Sequence, residues 1–469
     1  MLPPPGRARR LAAFIALSLF LAQLATAQTP APAPPTAQQV AAKVDEYMNA
    51  SVTADHFSGT VLVARDGQPV VSKGYGMANY ELSVPNAPQT VFRLGSITKQ
   101  FTSMAIMMLQ ERGKLSVSDP LCKYVENCPA AWQPITLRHL LTHTSGVPNY
   151  TSFPGFFQKN AVEPYTPAAL VELFRDKPLD FAPGEKFAYS NSGYHLLGLV
   201  VEKASGVPYA KFLQDNIFAP LGMRSTGYDD SRTLVPNRAS GYVWTGQALV
   251  NAAYLNMAIP FSAGALYSTA EDLLTWDKAL YTEKLVPRKT LEEIFTPLKQ
   301  MSPDMGYAYG WGVGKMHDHQ VIWHNGGING FATDIARFPA DRATVIVLSN
   351  NENAPSDRIA RDLSAILFGA PYKIPVERKV VAVASATLDK YAGQYQLAPG
   401  LVLTITNDGG KLSASAPGQP VVEMLPSSET EFFLKVVDAQ VTFVTDAQGR
   451  VTGLVLHQGG RDTPAKKIK

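Results

Sequence analysis

The order of elements along the chain predicts an α+β fold: one antiparallel sheet flanked by helices, followed by a small all-β, barrel-like domain. Three observations carry this. Strand pairs stand at both ends of the first folded stretch, with helical segments between them. An unusually apolar helix near Ser96 needs burial between layers. Short alternating strands separated by turn residues fill the C-terminal part.

Taken in order, Arg7, Arg9 and Arg10 precede an apolar run from Leu11 to Leu24, and Ala25-Thr26-Ala27 follows. That is the pattern of a secretory signal peptide over 1–27, cleaved near Ala27, and the run is short for a membrane span. The expected location is therefore secreted or periplasmic. Loss of residues 1–27 removes three arginines and no acids, so the formal charge falls from +3 to zero. Such a balance points to no nucleic-acid partner. Residues 28–39 form a Pro/Ala-rich linker. The 469-residue length suggests more than one domain, and we expect one over 40–368, a linker over 369–385, and a β domain over 386–469.

Within the first domain, Ser58–Ala64 and Gln68–Tyr75 flank Asp66-Gly67, a strong hairpin signal. Ile97, Phe101, Met104, Ala105 and Met108 follow the helical period, and Ile106 and Met107 make that helix apolar nearly all round, with Gly113 as its stop. Thr136 can cap a helix over Leu137–His143. Asn191–Ser205 reads as a helix closed by Gly206, and Ser268-Thr269-Ala270-Glu271 as a capping box for a helix to about Leu280. Strands return at Tyr309–Lys315, Gln320–Trp323, Ala332–Phe338 and Thr344–Ser349. In the β domain the expected strands are Leu401–Thr406, Lys411–Ala416, Glu431–Val437, Gln440–Val444 and Val451–His457. Cys122 and Cys128, the only cysteines, lie between Pro120 and Pro129. In an oxidising compartment they read as a disulfide-closed loop, and no Cys-x-x-Cys helix start favours a redox pair.

The chemistry begins at Ser96-Ile97-Thr98-Lys99, the only Ser-x-x-Lys in the chain. On a helix, positions i and i+3 share a face, so the hydroxyl lies beside the amine. A partly desolvated amine loses preference for its charged form and can take or relay the serine's proton. Tyr189-Ser190-Asn191 stands between a Pro183-Gly184 turn and the helix that follows. Its phenol is a second proton carrier if a nearby cation ionises it, and Asn191 offers an amide to a substrate. Tyr47-Met48-Asn49 and Tyr254-Leu255-Asn256 share the spacing but lack that setting. His324-Asn325-Gly326-Gly327 follows a strand; its glycines allow close approach of a substrate backbone, and His324 presents an imidazole to the same cleft. His457-Gln458-Gly459 repeats the spacing within the β domain.

In this order the three elements resemble the serine β-lactamase and penicillin-binding-protein-like hydrolase family, which uses Ser-x-x-Lys, Tyr-x-Asn and Lys-Thr-Gly or a variant. His139-Leu140-Leu141-Thr142-His143-Thr144-Ser145-Gly146 and Tyr189-Ser190-Asn191-Ser192-Gly193-Tyr194 extend the likeness, and the C-terminal part looks lipocalin-like. The resemblance implies Ser96 as nucleophile, with Lys99 and Tyr189 sharing the proton work. It implies that Asn191 orients the substrate amide, that His324, Gly326 and Gly327 bind substrate, and that the N–H groups of Ser96 and Gly327 form an oxyanion hole. It further implies an acyl-enzyme on an ester or amide, with no metal and no cofactor. Histidine replaces the usual lysine of the third motif, which weakens recognition of a substrate carboxylate.

The expected partner is a small-molecule or peptide substrate, including one derived from the cell wall. The expected activity is that of a peptidase or esterase. β-Lactam hydrolysis and a non-turnover sensor on the same fold are the alternatives. His139 and His143, at i and i+4, lack the acid of His-Glu-x-x-His, and His317-Asp318-His319 falls in a hairpin turn, so neither argues for a metal.

Overall fold

The computed structural model describes residues 34–302, 304–377, 379–398, 401–416, 421–434, 439–458 and 461–469. The expected signal segment and most of the linker after it lie outside these residues.

The main sheet is antiparallel and has eight strands. They are β1 (Gly59–Arg65), β2 (Gln68–Tyr75), β3 (Lys299–Ser302), β4 (Met305–Tyr307), β5 (Gly312–Met316), β6 (His319–Ile328), β7 (Phe331–Phe338) and β8 (Ala343–Ser349), in spatial order β3-β4-β5-β6-β7-β8-β1-β2. The β1–β2 hairpin turns at Asp66 and Gly67, both with positive φ, as the Asp-Gly pair predicts. β1 returns beside β8, Leu62 opposite Ile346, so the first and last strands of this domain pair directly in one sheet.

Alternation along the central strands sorts two cores. Leu62, Ile335, Ile346 and Leu348 face a large helical layer. Val61, Val63, Val345 and Val347 face the other way, onto α1 (Ala37–Ala54) and the helix Ser356–Phe368. In the helical layer, α2 (Thr98–Glu111) is buried at every position from Thr98 to Leu109, which meets the expectation of a central helix. α3 (Asn191–Ser205), capped by Ser190 and closed by Gly206 in the left-handed region, packs on α2.

α4 (Ala270–Ala279) is fastened to the sheet by a buried ion pair. Asp277 accepts from Arg337 Nε at 2.7 Å and from Thr344 Oγ1 at 2.6 Å, so both carboxylate oxygens have partners. The Arg337 guanidinium lies over the rings of Tyr281 and Phe295.

Four expectations are corrected. Ser96 sits on a 3-10 turn, Gly95–Ile97, just ahead of α2 rather than within it. Thr269, not Ser268, caps α4, accepting from Asp272 N, because Ser268 is held in a strand opposite Phe92. Tyr309 precedes β5, since Gly310 at φ +78° breaks the extended run. The His324–Gly327 stretch is part of β6, not a loop after a strand: Gly326 and Gly327 pair with Thr333 and Ala332.

After the connector and a short helix, Ser385–Tyr391, eight antiparallel strands close a barrel among the described residues. Three of them, Gly393–Ala398, Val422–Pro426 and Arg461–Lys467, were not expected from the sequence. Tyr391, Tyr395, Ile405, Leu412, Phe432 and Phe443 fill the inside.

Removing one member of the Asp277–Arg337 pair leaves a buried charge uncompensated. Asp277→Ala should therefore lower the unfolding free energy by about 3–5 kcal/mol in urea titration; a loss below about 1 kcal/mol would show that solvent reaches the guanidinium.

Candidate active site

Ser96 is delivered by a close backbone contact. A Cβ on Gly326 would stand 2.0 Å from Leu94 O, so the strand and the segment before Ser96 touch with no side chain between them. Gly95, at φ +54°, abuts Gly327 N in the same way. Ser96 and Gly327 thus lie side by side, and nothing stands within 4 Å of where a Gly327 side chain would begin.

Lys99 reaches back one turn. Its Nζ lies 3.0 Å from Ser96 Oγ, 2.8 Å from Asn191 Oδ1 and 2.8 Å from the Ala263 carbonyl. The side chain is wholly buried and none of these partners is a carboxylate. Burial without a counter-charge holds its pKa well below the ordinary lysine value. Tyr189 OH donates to Ser96 Oγ at 2.8 Å, and its ring lies 4.8 Å from Lys99 Nζ. Burial drives the phenol up, away from ionisation. Burial thus favours the neutral phenol, whereas the sequence suggested one ionised by the neighbouring amine.

Asn191, the first residue of α3, has little freedom. Its carbonyl accepts from Lys99, its amide donates to Thr151 Oγ1 at 3.1 Å, and its backbone N–H donates to Asn149 Oδ1.

His143, which the sequence placed in the family-like His139–Gly146 segment and for which it argued no metal, underlies Tyr189. The expected helix stops at Leu141, and His143 takes a positive φ of 55°, which turns its ring inward. Its carbonyl accepts from Ala188 N, its Nδ1 accepts from Ser190 N, and its ring centroid is 4.2 Å from that of Tyr189. Since Nδ1 accepts, the proton of a neutral ring is on Nε2, which faces Tyr307 OH at 3.2 Å. Tyr307 OH then faces His324 Nε2 at 3.0 Å, and His324 Nδ1–H donates to the Asn325 carbonyl at 2.5 Å. All four bonds are satisfied with both rings neutral. Burial, and then the charge of Lys99, pushes His324 down to about 3 and His143 down as well.

A hollow of about 260 Å³ opens at Ser96, bordered by Asn191, Gly264 and Gly327 together with Tyr150, Phe157, Leu255, Ile259 and Ile328. Of the expected site residues, Ser96, Asn191 and Gly327 border it, and Lys99, Tyr189, His324 and Gly326 do not. Of the other Tyr-x-Asn matches, Tyr47 is bonded to Asp362 in the far core, and Tyr254 is exposed, while the neighbouring Leu255 borders the hollow. The hollow's apolar walls went unnoticed in the sequence, for nothing in composition separates them from core. His143 did have a signal, in the His-Thr-Ser-Gly that follows its helix.

Cys122 and Cys128 form a disulfide packed against the helical core. His317 Nε2 contacts the Arg361 carbonyl and His319 Nδ1 contacts Asp341. No cluster of metal-binding side chains occurs among the described residues.

A serine, a buried amine and a phenol meeting beside a strand of an antiparallel sheet define a serine hydrolase of the penicillin-recognising type. The chain belongs to the Beta-lactamase family, which matches residues 40–369 and whose members are serine hydrolases acting through an acyl-enzyme. Residues 377–467 match a domain of unknown function, DUF3471. Penicillin-binding protein 4* of Bacillus subtilis (strain 168) is 32% identical over 440 residues, spanning 88% of this chain and 95% of that one. The octameric penicillin-binding protein homologue of Pyrococcus abyssi is 27% identical with a TM-score of 0.66, over 91% of this chain and 99% of that one. A D-stereospecific amidohydrolase from Streptomyces sp. is 28% identical with a TM-score of 0.62, over 71% and 99%.

With both nitrogens engaged and its pKa near 3, His324 does not titrate in the range of an ordinary histidine, about pH 5–8. In His324→Gln the limbs of the kcat/KM–pH profile over that range should stay in place. A limb that moves by a full pH unit would show that the ring changes charge during catalysis.

Proposed function

We propose that the chain is an extracytoplasmic serine hydrolase that forms an acyl-enzyme at Ser96 on small ester or amide substrates, peptides among them. The observation that carries this reading is the convergence of Lys99 Nζ and Tyr189 OH on Ser96 Oγ, at 3.0 and 2.8 Å, on the border of a hollow. The apolar run behind Arg7–Arg10 and the Cys122–Cys128 disulfide support the extracytoplasmic part. No helix among the described residues is long and apolar enough to cross a membrane.

The mechanism follows from the two directions of pKa displacement. Lys99, depressed, spends part of its time as a free amine and takes the Ser96 proton as Oγ attacks the carbonyl carbon. The developing oxyanion sits against the backbone N–H groups of Ser96 and Gly327, brought together by the Gly95–Gly327 contact. Tyr189, kept protonated by burial, donates to the leaving oxygen or nitrogen and is reprotonated through Lys99. Water then enters by the same route to release the acid. Asn191, fixed by Lys99, Thr151 and Asn149, holds the amine in register and borders the substrate.

A chromogenic ester should be turned over steadily. Ser96→Ala should lower kcat by roughly 10⁴-fold or more, and Tyr189→Phe by about 10²–10⁴-fold. A single burst of one equivalent followed by silence would favour a sensor. Turnover that survives Ser96→Ala would remove the serine from the chemistry.

A further inference from the structure

Resting on the acyl-transfer reading above, we propose that the site takes substrates whose acyl group is uncharged and apolar, and that it discriminates against acyl groups bearing a carboxylate. Among the described residues that border the hollow there is no Lys, Arg, His, Asp or Glu. Its walls are the rings of Tyr150 and Phe157 and the aliphatic side chains of Leu255, Ile259, Pro260 and Ile328.

Each hydroxyl and amide side chain at the border already has at least one partner. Thr151 Oγ1 donates to Asn149 Oδ1 at 3.0 Å and accepts from Asn191, and Asn329 Nδ2 donates to the Ala253 carbonyl at 3.1 Å. Tyr150 OH is turned away, onto the Ile259 carbonyl at 2.8 Å.

Two cationic candidates stand nearby, and neither is available. Lys99 is wholly buried and places its three N–H directions on Ser96, Asn191 and Ala263. His324, the residue that occupies the third-motif position, is 4% exposed and has both ring nitrogens bonded, to Tyr307 and Asn325. A carboxylate carried into the hollow would meet apolar walls and no cationic side chain to offset its loss of water, which disfavours it strongly. An apolar chain of equal length gains from the same burial.

The test compares p-nitrophenyl butyrate with mono-p-nitrophenyl succinate, matched in chain length, on the wild-type enzyme and on Ser96→Ala. The expected result is a kcat/KM for the butyrate at least ~30-fold above that for the succinate, the order set by one uncompensated charge, with both activities lost in Ser96→Ala. Succinate turnover equal to or faster than butyrate, and lost in Ser96→Ala, overturns the selectivity while leaving the serine chemistry standing. Turnover of neither ester, or turnover retained in Ser96→Ala, overturns the acyl-transfer reading and this proposal with it.

Discussion

The burial of Lys99 without an anionic partner is the constraint on which the rest of the site depends. A lysine beside a carboxylate would be a stable ammonium and a poor base. Here its partners are a hydroxyl, an amide oxygen and a backbone carbonyl. Each can accept from the amine, and none repays the loss of water around a full charge. The fold keeps the amine dry by surrounding α2 on every side, with α3 against it and the segment through Ala263 above it. The same dryness keeps Tyr189 a phenol. On the proposed mechanism one environment serves both a base and an acid, by pushing a cationic acid down and a neutral acid up.

The polar groups around this pair are arranged so that few are idle. His143 supports Tyr189 from beneath, holds the 188–190 segment through its carbonyl and Nδ1, and passes its remaining hydrogen bond to Tyr307 and on to His324. The histidine at the third-motif position is thereby explained as part of a buried network rather than as a charge presented to substrate. A neutral ring bonded on both sides suits the interior; an ammonium at that place would add a second unpaired cation close to Lys99.

Much of this was legible in the sequence, and the reasons for the exceptions are physical. The Asp66-Gly67 turn, the buried character of α2 and the Ser190–Gly206 limits of α3 follow from local rules of turn geometry, periodicity and capping. The Ser96, Lys99, Tyr189 and Asn191 quartet could be read because each residue carries its chemistry in its side chain and its spacing on a helix start. What could not be read depends on contacts between distant segments. Gly326 belongs to a strand only because Thr333 pairs with it, so a run of Asn and Gly looks like a loop until its partner is known. The inward turn of His143 rests on a left-handed backbone that residues other than glycine adopt infrequently. The strand Arg461–Lys467 contains a proline and several charges, which hid it among turn-like residues.

The central claim is that Lys99 is a depressed, partly neutral amine in the resting protein. Protein labelled with ¹³C at the lysine ε-carbons, with the Lys99 signal assigned by its loss in Lys99→Met, gives the midpoint directly from a pH titration by NMR. The midpoint is expected well below the 10.5 of an unperturbed lysine. A midpoint at or above that value would contradict the claim and would require another base for Ser96.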